Sequence, residues 1–207
     1  MSQYKRNQIE EAISWVDTGS RVKPTVEMRT RLKRLLDADR NLGRNARSND
    51  PEKANYAFYS EDAPGKGSEV LFSEYEAFAL MTALRILQHN WPQGFAVSIM
   101  RRIRPELEKE HRRLINQEPT PTKTQHTARV GEPAFGNGDP LFLMIVTDTT
   151  ASDKGRDPVV RICSQSDAFK LIMKKPSLAS SWMELITPAW QLREQLSKTL
   201  PRKRGRS

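Results

Sequence analysis

The sequence predicts a mostly helical α+β fold, on three observations. Apolar residues recur at helical spacing through most of the first 117 residues. Two short apolar runs, Leu141 to Thr147 and Val159 to Cys163, have the length and β-branched content of strands. Between these regimes lie residues 118–140 (EPTPTKTQHTARVGEPAFGNGDP), rich in Pro, Thr and Gly and without a sustained period. That stretch reads as a linker. The expected organisation is a first domain over 1–117, the linker, a small α+β domain over 141–200, and a basic flexible tail over 201–207.

A first helix is expected from Asn7 to Val16, because Ile9, Ala12, Ile13 and Val16 share one face and Asn7 is placed to cap it. A second follows Pro24, with Thr25 as N-cap, an apolar arc of Met28, Leu32, Leu35, Leu36 and Leu42, and Gly43 as the stop. Arg29, Lys33 and Arg40 align along one flank of that arc; Arg34 lies further round and Arg31 on the other flank. Asp39 falls inside the apolar arc, so the helix is expected to end or fray there, or Asp39 to pair with a neighbouring Arg. Tyr56 to Tyr59 and Glu69 to Phe72 read as strands of a hairpin whose tip holds Pro64-Gly65-Lys66-Gly67.

Ser73-Glu-Tyr-Glu76 is a capping box that opens a helix to about His89, apolar nearly all round and therefore central. Asn90-Trp91-Pro92 breaks it. The next helix turns Phe95, Ala96, Ile99, Met100 and Ile103 inward and has Arg101, Arg102 and Arg104 near its end, where cations suit the helix dipole. Pro105 then starts a solvated helix over Glu106 to Asn116. After the two strands, helices are expected from about Ser166 to Lys175 and from Ser181 to about Leu200. Pro188 should kink or split the last one, on which Trp182 and Trp190 would share a face.

The chain has 34 Lys and Arg against 25 Asp and Glu, a formal charge of +9. Nine of those cations lie between Arg21 and Arg47 against Glu27, Asp37 and Asp39 alone, a local +6. Such a concentration favours a polyanionic partner. Cys163 is the only cysteine, which leaves no intramolecular disulfide or multi-cysteine metal site and fits a reducing compartment. The opening MSQYKRNQIEEAI has no apolar signal core and no segment is apolar enough to span a membrane, so a cytoplasmic protein without membrane contact is expected.

Helix, basic helix, hairpin, apolar helix is the element order of a winged helix-turn-helix domain, in which a recognition helix enters the major groove and the hairpin wing meets the backbone. More narrowly, residues 5 to about 104 resemble the MerR-type winged-helix domain. The run MRTRLKRLLDADRNLGR stands where that family has its recognition helix, Tyr56 to Phe72 where it has its wing, and SEYEAFALMTALRILQHNWPQGFAVSIMRRI resembles its paired helices after the wing. The resemblance implies a DNA-binding transcriptional regulator, expected to act as a homodimer on double-stranded DNA, without cofactor or catalysis.

The DNA-contact residues expected on this reading are Arg29, Arg31, Lys33, Arg34 and Arg40 on the helix, Arg44 and Arg47 after it, Lys66 on the hairpin tip, and Arg202, Lys203 and Arg204 in the tail. Arg and Lys serve phosphates and guanine edges alike, so the pattern does not separate the two tasks. One competing reading is a metal-dependent enzyme built on Asp148 and Asp153, which follow the first strand, with the basic surface guiding a phosphorylated or nucleic-acid substrate. Another is an adaptor that meets an acidic protein. His89, His111 and His126 lie on different elements and suggest neither a metal site nor a triad.

Overall fold

A computed structural model describes residues 2–60, 70–116, 140–148, 158–174 and 178–200. Among them are seven helices and a three-stranded antiparallel sheet. In chain order the elements are β1 (Tyr4–Lys5), α1 (Arg6–Thr18), α2 (Val26–Leu42), α3 (Pro51–Ala54), β2 (Leu71–Phe72), α4 (Glu74–Gln88), α5 (Gln93–Asn116), β3 (Leu141–Asp148), β4 (Val159–Ser164), α6 (Gln165–Lys174), β5 (Leu178–Glu184) and α7 (Ile186–Lys198).

Local chemistry sets most of the helix ends. The Thr25 hydroxyl accepts the Met28 N–H at 3.1 Å and starts α2, while Gly43, at φ 61°, stops it in a conformation that L side chains resist. Ser73 and Glu76 form the capping box of α4, the Ser73 N–H donating to Glu76 at 2.6 Å and the Glu76 N–H to the Ser73 hydroxyl at 3.2 Å. α1 begins one residue before the expected cap. Its start is fastened by the Gln8 carboxamide oxygen, which accepts the Lys5 N–H at 2.9 Å, so Asn7 lies inside the first turn.

α5 corrects the reading of Pro105 as a helix start. The helix runs unbroken from Gln93 to Asn116 with Pro105 inside it. A mid-helix proline costs about 3 kcal/mol, but Ile103, Leu107, His111 and Leu114 continue a single buried stripe past it. Arg101 and Arg104 are therefore mid-helix and buried, not dipole-facing residues at a helix end.

The final helix is corrected as well. Leu178–Glu184 is a strand, so Trp182 lies on β5 and Trp190 on α7. Alternation across the strand pairs Met183 with Leu143 and Trp182 with Met144. Glu184 then accepts the N–H groups of Ile186 at 2.6 Å and Thr187 at 3.0 Å. Pro188 falls in the first turn of α7, where its missing N–H has no partner to lose.

Among the described residues Tyr56–Tyr59 is not a strand and does not pair with Leu71–Phe72; Glu69 and the expected tip, residues 61–69, lie outside them. β2 pairs antiparallel with β1 instead, Tyr4 opposite Phe72 and Lys5 opposite Leu71. Four of the eight polar backbone groups of Tyr56 to Tyr59 are taken by side chains. Ala57 and Phe58 donate their N–H groups to the Asp39 carboxylate at 3.0 Å each, and the Tyr56 and Tyr59 carbonyls accept from Arg104 Nη1 at 2.7 Å each. These four bonds satisfy half of the segment's backbone polar groups without a strand ladder.

Asp39 explains this arrangement. It is 0% exposed, and Arg101, 4% exposed, donates Nε to its carboxylate and Nη2 to its carbonyl, both at 2.6 Å. α2 accordingly runs past Asp39 to Leu42 without fraying. The partner is indeed an arginine, but it comes from α5 and not from a sequence neighbour.

The sheet order is β4-β3-β5. Leu141, Leu143, Ile145 and Met183 on one face join the helical core of Ile9, Ile13, Leu32, Leu35, Phe58, Phe78 and Met100; Met144 and Val146 on the other meet Ala168 of α6. Leu192 and Leu196 of α7 belong to the same helical core. Gln8 of α1 donates to the carbonyl and hydroxyl of Thr199 at 3.3 Å each. All of the expected linker but Pro140 lies outside the described residues, and on its two sides one hydrophobic core is shared. No helix among the described residues is long and apolar enough to cross a membrane.

Two outcomes follow for stability. Asp39→Ala leaves Arg101 and two backbone N–H groups unpaired in the core and should lower the unfolding free energy by about 3–5 kcal/mol, measured by urea denaturation; a loss below about 1 kcal/mol would contradict the role given to the pair. His111 is buried against Phe78 (ring centroids 4.8 Å apart) and Tyr75 (5.8 Å), and its Nε2 has no partner. Burial, with Arg193 adding to it, pushes the imidazole down to about 4. The unfolded chain takes up a proton near pH 6.5 that the native state refuses, so stability should fall by on the order of 3 kcal/mol as pH drops from about 6.5 to 4. His111→Phe should remove that portion of the pH dependence in denaturation curves.

Candidate nucleic-acid interface

One flank of α2 beside its buried leucines carries Arg29 and Lys33, and Arg34 lies further round, opposite them. Arg29 is 47% exposed and its Nε lies 3.6 Å from Glu10 of α1. Arg6, at the start of α1, donates to Glu10 at 2.8 Å and to the Arg29 carbonyl at 3.1 Å. Lys33, 64% exposed, pairs with Asp37 at 2.7 Å. This hydrogen bond holds the Asp37 carboxyl below its ordinary range, so it stays ionised. Arg34 is exposed, and its side chain has no partner among the described residues; its carbonyl accepts from Gln93 of α5 at 3.1 Å.

Solvent-exposed ion pairs of this kind are worth about 0–1 kcal/mol each. A phosphate could therefore displace Asp37 from Lys33 at little cost, whereas Glu10 is buried and stays with Arg6 and Arg29. The anchoring is on the inner face, where Leu32, Leu35, Leu36 and Asp39 are buried. The helix thus presents Arg29, Lys33 and Arg34 from a fixed base.

The remaining expected DNA-binding residues are dispersed. Arg40 is 27% exposed, pairs with Asp37 at 3.4 Å and donates to the Tyr59 hydroxyl at 3.3 Å, with its guanidinium 5.8 Å from the centre of that ring. It belongs to the packing of α2 on the Tyr56–Tyr59 segment more than to the open surface. Arg31 lies on the opposite flank, bound to Glu27 at 2.6 Å, and lines a small cleft with Ser14, Met28 and Gln88. Arg44 covers the Tyr56 ring at 5.6 Å, and Arg47 is exposed just beyond it. Lys66, Arg202, Lys203 and Arg204 lie outside the described residues.

Arg6 is the addition that sequence reading missed. It sits at the start of α1, and only the crossing of α1 over α2 brings it to Arg29. Of the competing enzyme residues, Asp148 ends β3 and Asp153 lies outside the described residues. Among the described residues no group of three His, Cys, Asp or Glu side chains is placed to hold a metal ion. Burial pushes the half-buried Cys163 thiol up, away from the thiolate.

No family model, no curated protein and no solved structure matches this chain.

Because Lys33 and Arg34 stand on the outer face, Lys33→Ala and Arg34→Ala should each change the unfolding free energy by less than about 0.5 kcal/mol. Thermal and urea melts of the two variants check this, and a large loss would show that the face is structural.

Proposed function

We propose that the protein is a transcriptional regulator that binds double-stranded DNA through the outer face of α2, extended by Arg6 of α1 and by Arg44 and Arg47 after the helix. One observation carries the reading. Arg29 and Lys33 stand on one exposed flank of α2 and Arg34 further round, clear of the buried leucines, and the Lys33–Asp37 pair is open enough to yield to phosphate. A helix presented this way can enter a major groove with its cations toward phosphates and base edges. Among the described residues Tyr56–Tyr59 does not pair as a strand, so DNA binding is assigned here to the helices.

The test is a gel-shift titration of the full chain, after selecting bound duplexes from a random pool. Reversing charge at Arg29, Lys33 and Arg34 together (each to Glu) should abolish binding with the fold intact. Single changes to Ala should cost about 1–3 kcal/mol where a base edge is read, and should flatten the dependence of log K on log salt by about 0.9 for each phosphate no longer neutralised. Unchanged affinity in the triple variant would refute the assignment of α2. If acidic protein is bound and duplex is not, the adaptor reading replaces this one.

A further inference from the structure

A cleft of about 390 Å³ opens between the end of α1, the end of α4 and β5, at the other end of the first helix from Arg6. Its lining is mainly polar, with Asp17, Arg85, Gln88 and Glu184 beside Val16 and Trp182. The size is within the range of small-ligand clefts, about 300–1,000 Å³.

Two opposite charges face this cleft without closing on each other. Arg85 donates a single long hydrogen bond, 3.4 Å from Nη1 to the Glu184 carbonyl, although a guanidinium has five N–H donors. Asp17 is hydrogen-bonded only to the Gln88 side chain and interacts with Arg85 at a distance. The Glu184 carboxylate is already committed to the N–H groups that start α7. One half-buried planar cation and one carboxylate exposed at the mouth of the cleft, held only by Gln88, therefore remain; partial burial raises Asp17 and lowers Arg85 from their ordinary values. Each lacks a full complement of partners.

We propose that this cleft binds a small zwitterion of the α-amino-acid type, its carboxylate taken by the Arg85 fork and its ammonium by Asp17. The guanidinium fork matches a carboxylate in two parallel bonds. A dianion such as phosphate would be repelled by Asp17 and by the Glu184 charge, whereas a zwitterion answers both signs and brings no net charge into the cleft. Asp17 and Gln88 also line the adjoining cleft that reaches Met28 and Arg31, so an occupant would sit one side chain away from α2. The site does not rest on the DNA reading.

The experiment is calorimetric titration of the full chain, without DNA, against the standard L-amino acids tested singly. Each amino acid that binds is then compared with its des-amino acid, which keeps the carboxylate alone. Saturable binding by one or more amino acids is expected, weakened roughly tenfold or more in Arg85→Gln and in Asp17→Asn. The des-amino acid should bind the wild type more weakly than its parent and should not be weakened further by Asp17→Asn, which removes a like charge. Thermal melts establish that each variant is folded; Asp17→Asn is an exposed, near-isosteric change that keeps the test open if Arg85→Gln does not fold. The proposal is overturned if no amino acid binds at concentrations on the order of 10 mM. Binding that survives both substitutions, or a des-amino acid that binds as tightly as its parent, also overturns it.

Discussion

The Asp39–Arg101 pair is the constraint on which the first half of the molecule depends. A carboxylate at 0% exposure is tolerable only when its hydrogen-bond capacity is filled. Here Arg101 and the N–H groups of Ala57 and Phe58 fill it. Four bonds, one of them from Arg101 to the Asp39 carbonyl, thereby join α2, α5 and the segment after α3 at a single point. The rotation of α2 about its own axis is set by this junction together with its leucines. That is why the cations of α2 face outward.

Arg104 extends the same device by one helical turn. It holds the Tyr56 and Tyr59 carbonyls and reaches the Ser60 hydroxyl at 3.2 Å, while its guanidinium lies 5.4 Å from the centre of the Tyr75 ring. Arg104, together with the Asp39 carboxylate that Arg101 holds in place, thus does for an irregular segment what a strand partner would do in a hairpin. Farther along the chain the sheet is held differently, with one face against the helical core, the other against α6, and α7 returning to α1. The basic face and the polar cleft therefore share one scaffold, with α1 between them.

Features governed by neighbours in sequence could be read from the sequence. The Thr25 and Ser73 caps, the Gly43 stop, strands β3 and β4 and the helix after them all follow from residues within a few positions of one another. What failed depended on partners far along the chain. Asp39 looked like a defect because Arg101 is 62 residues away; Tyr56–Tyr59 looked like a strand because its aromatic composition does not reveal that Asp39 and Arg104 take half of its backbone groups. LASSWME was not legible as a strand because its alternation makes sense only beside β3. At the basic face, Arg29, Lys33 and Arg34 were visible from helical spacing, but the separation of Arg40 from the open surface and the arrival of Arg6 are tertiary facts.

The most direct measurement is a backbone amide chemical-shift titration of the full chain with a selected duplex. The account predicts that shifts concentrate at Arg6 and from Arg29 to Arg34, while the amides of Asp39, Ala57, Phe58 and Arg101 stay in place because the junction beneath the helix does not move. Shifts centred on α6 or on the far half of α5, with α2 untouched, would contradict it.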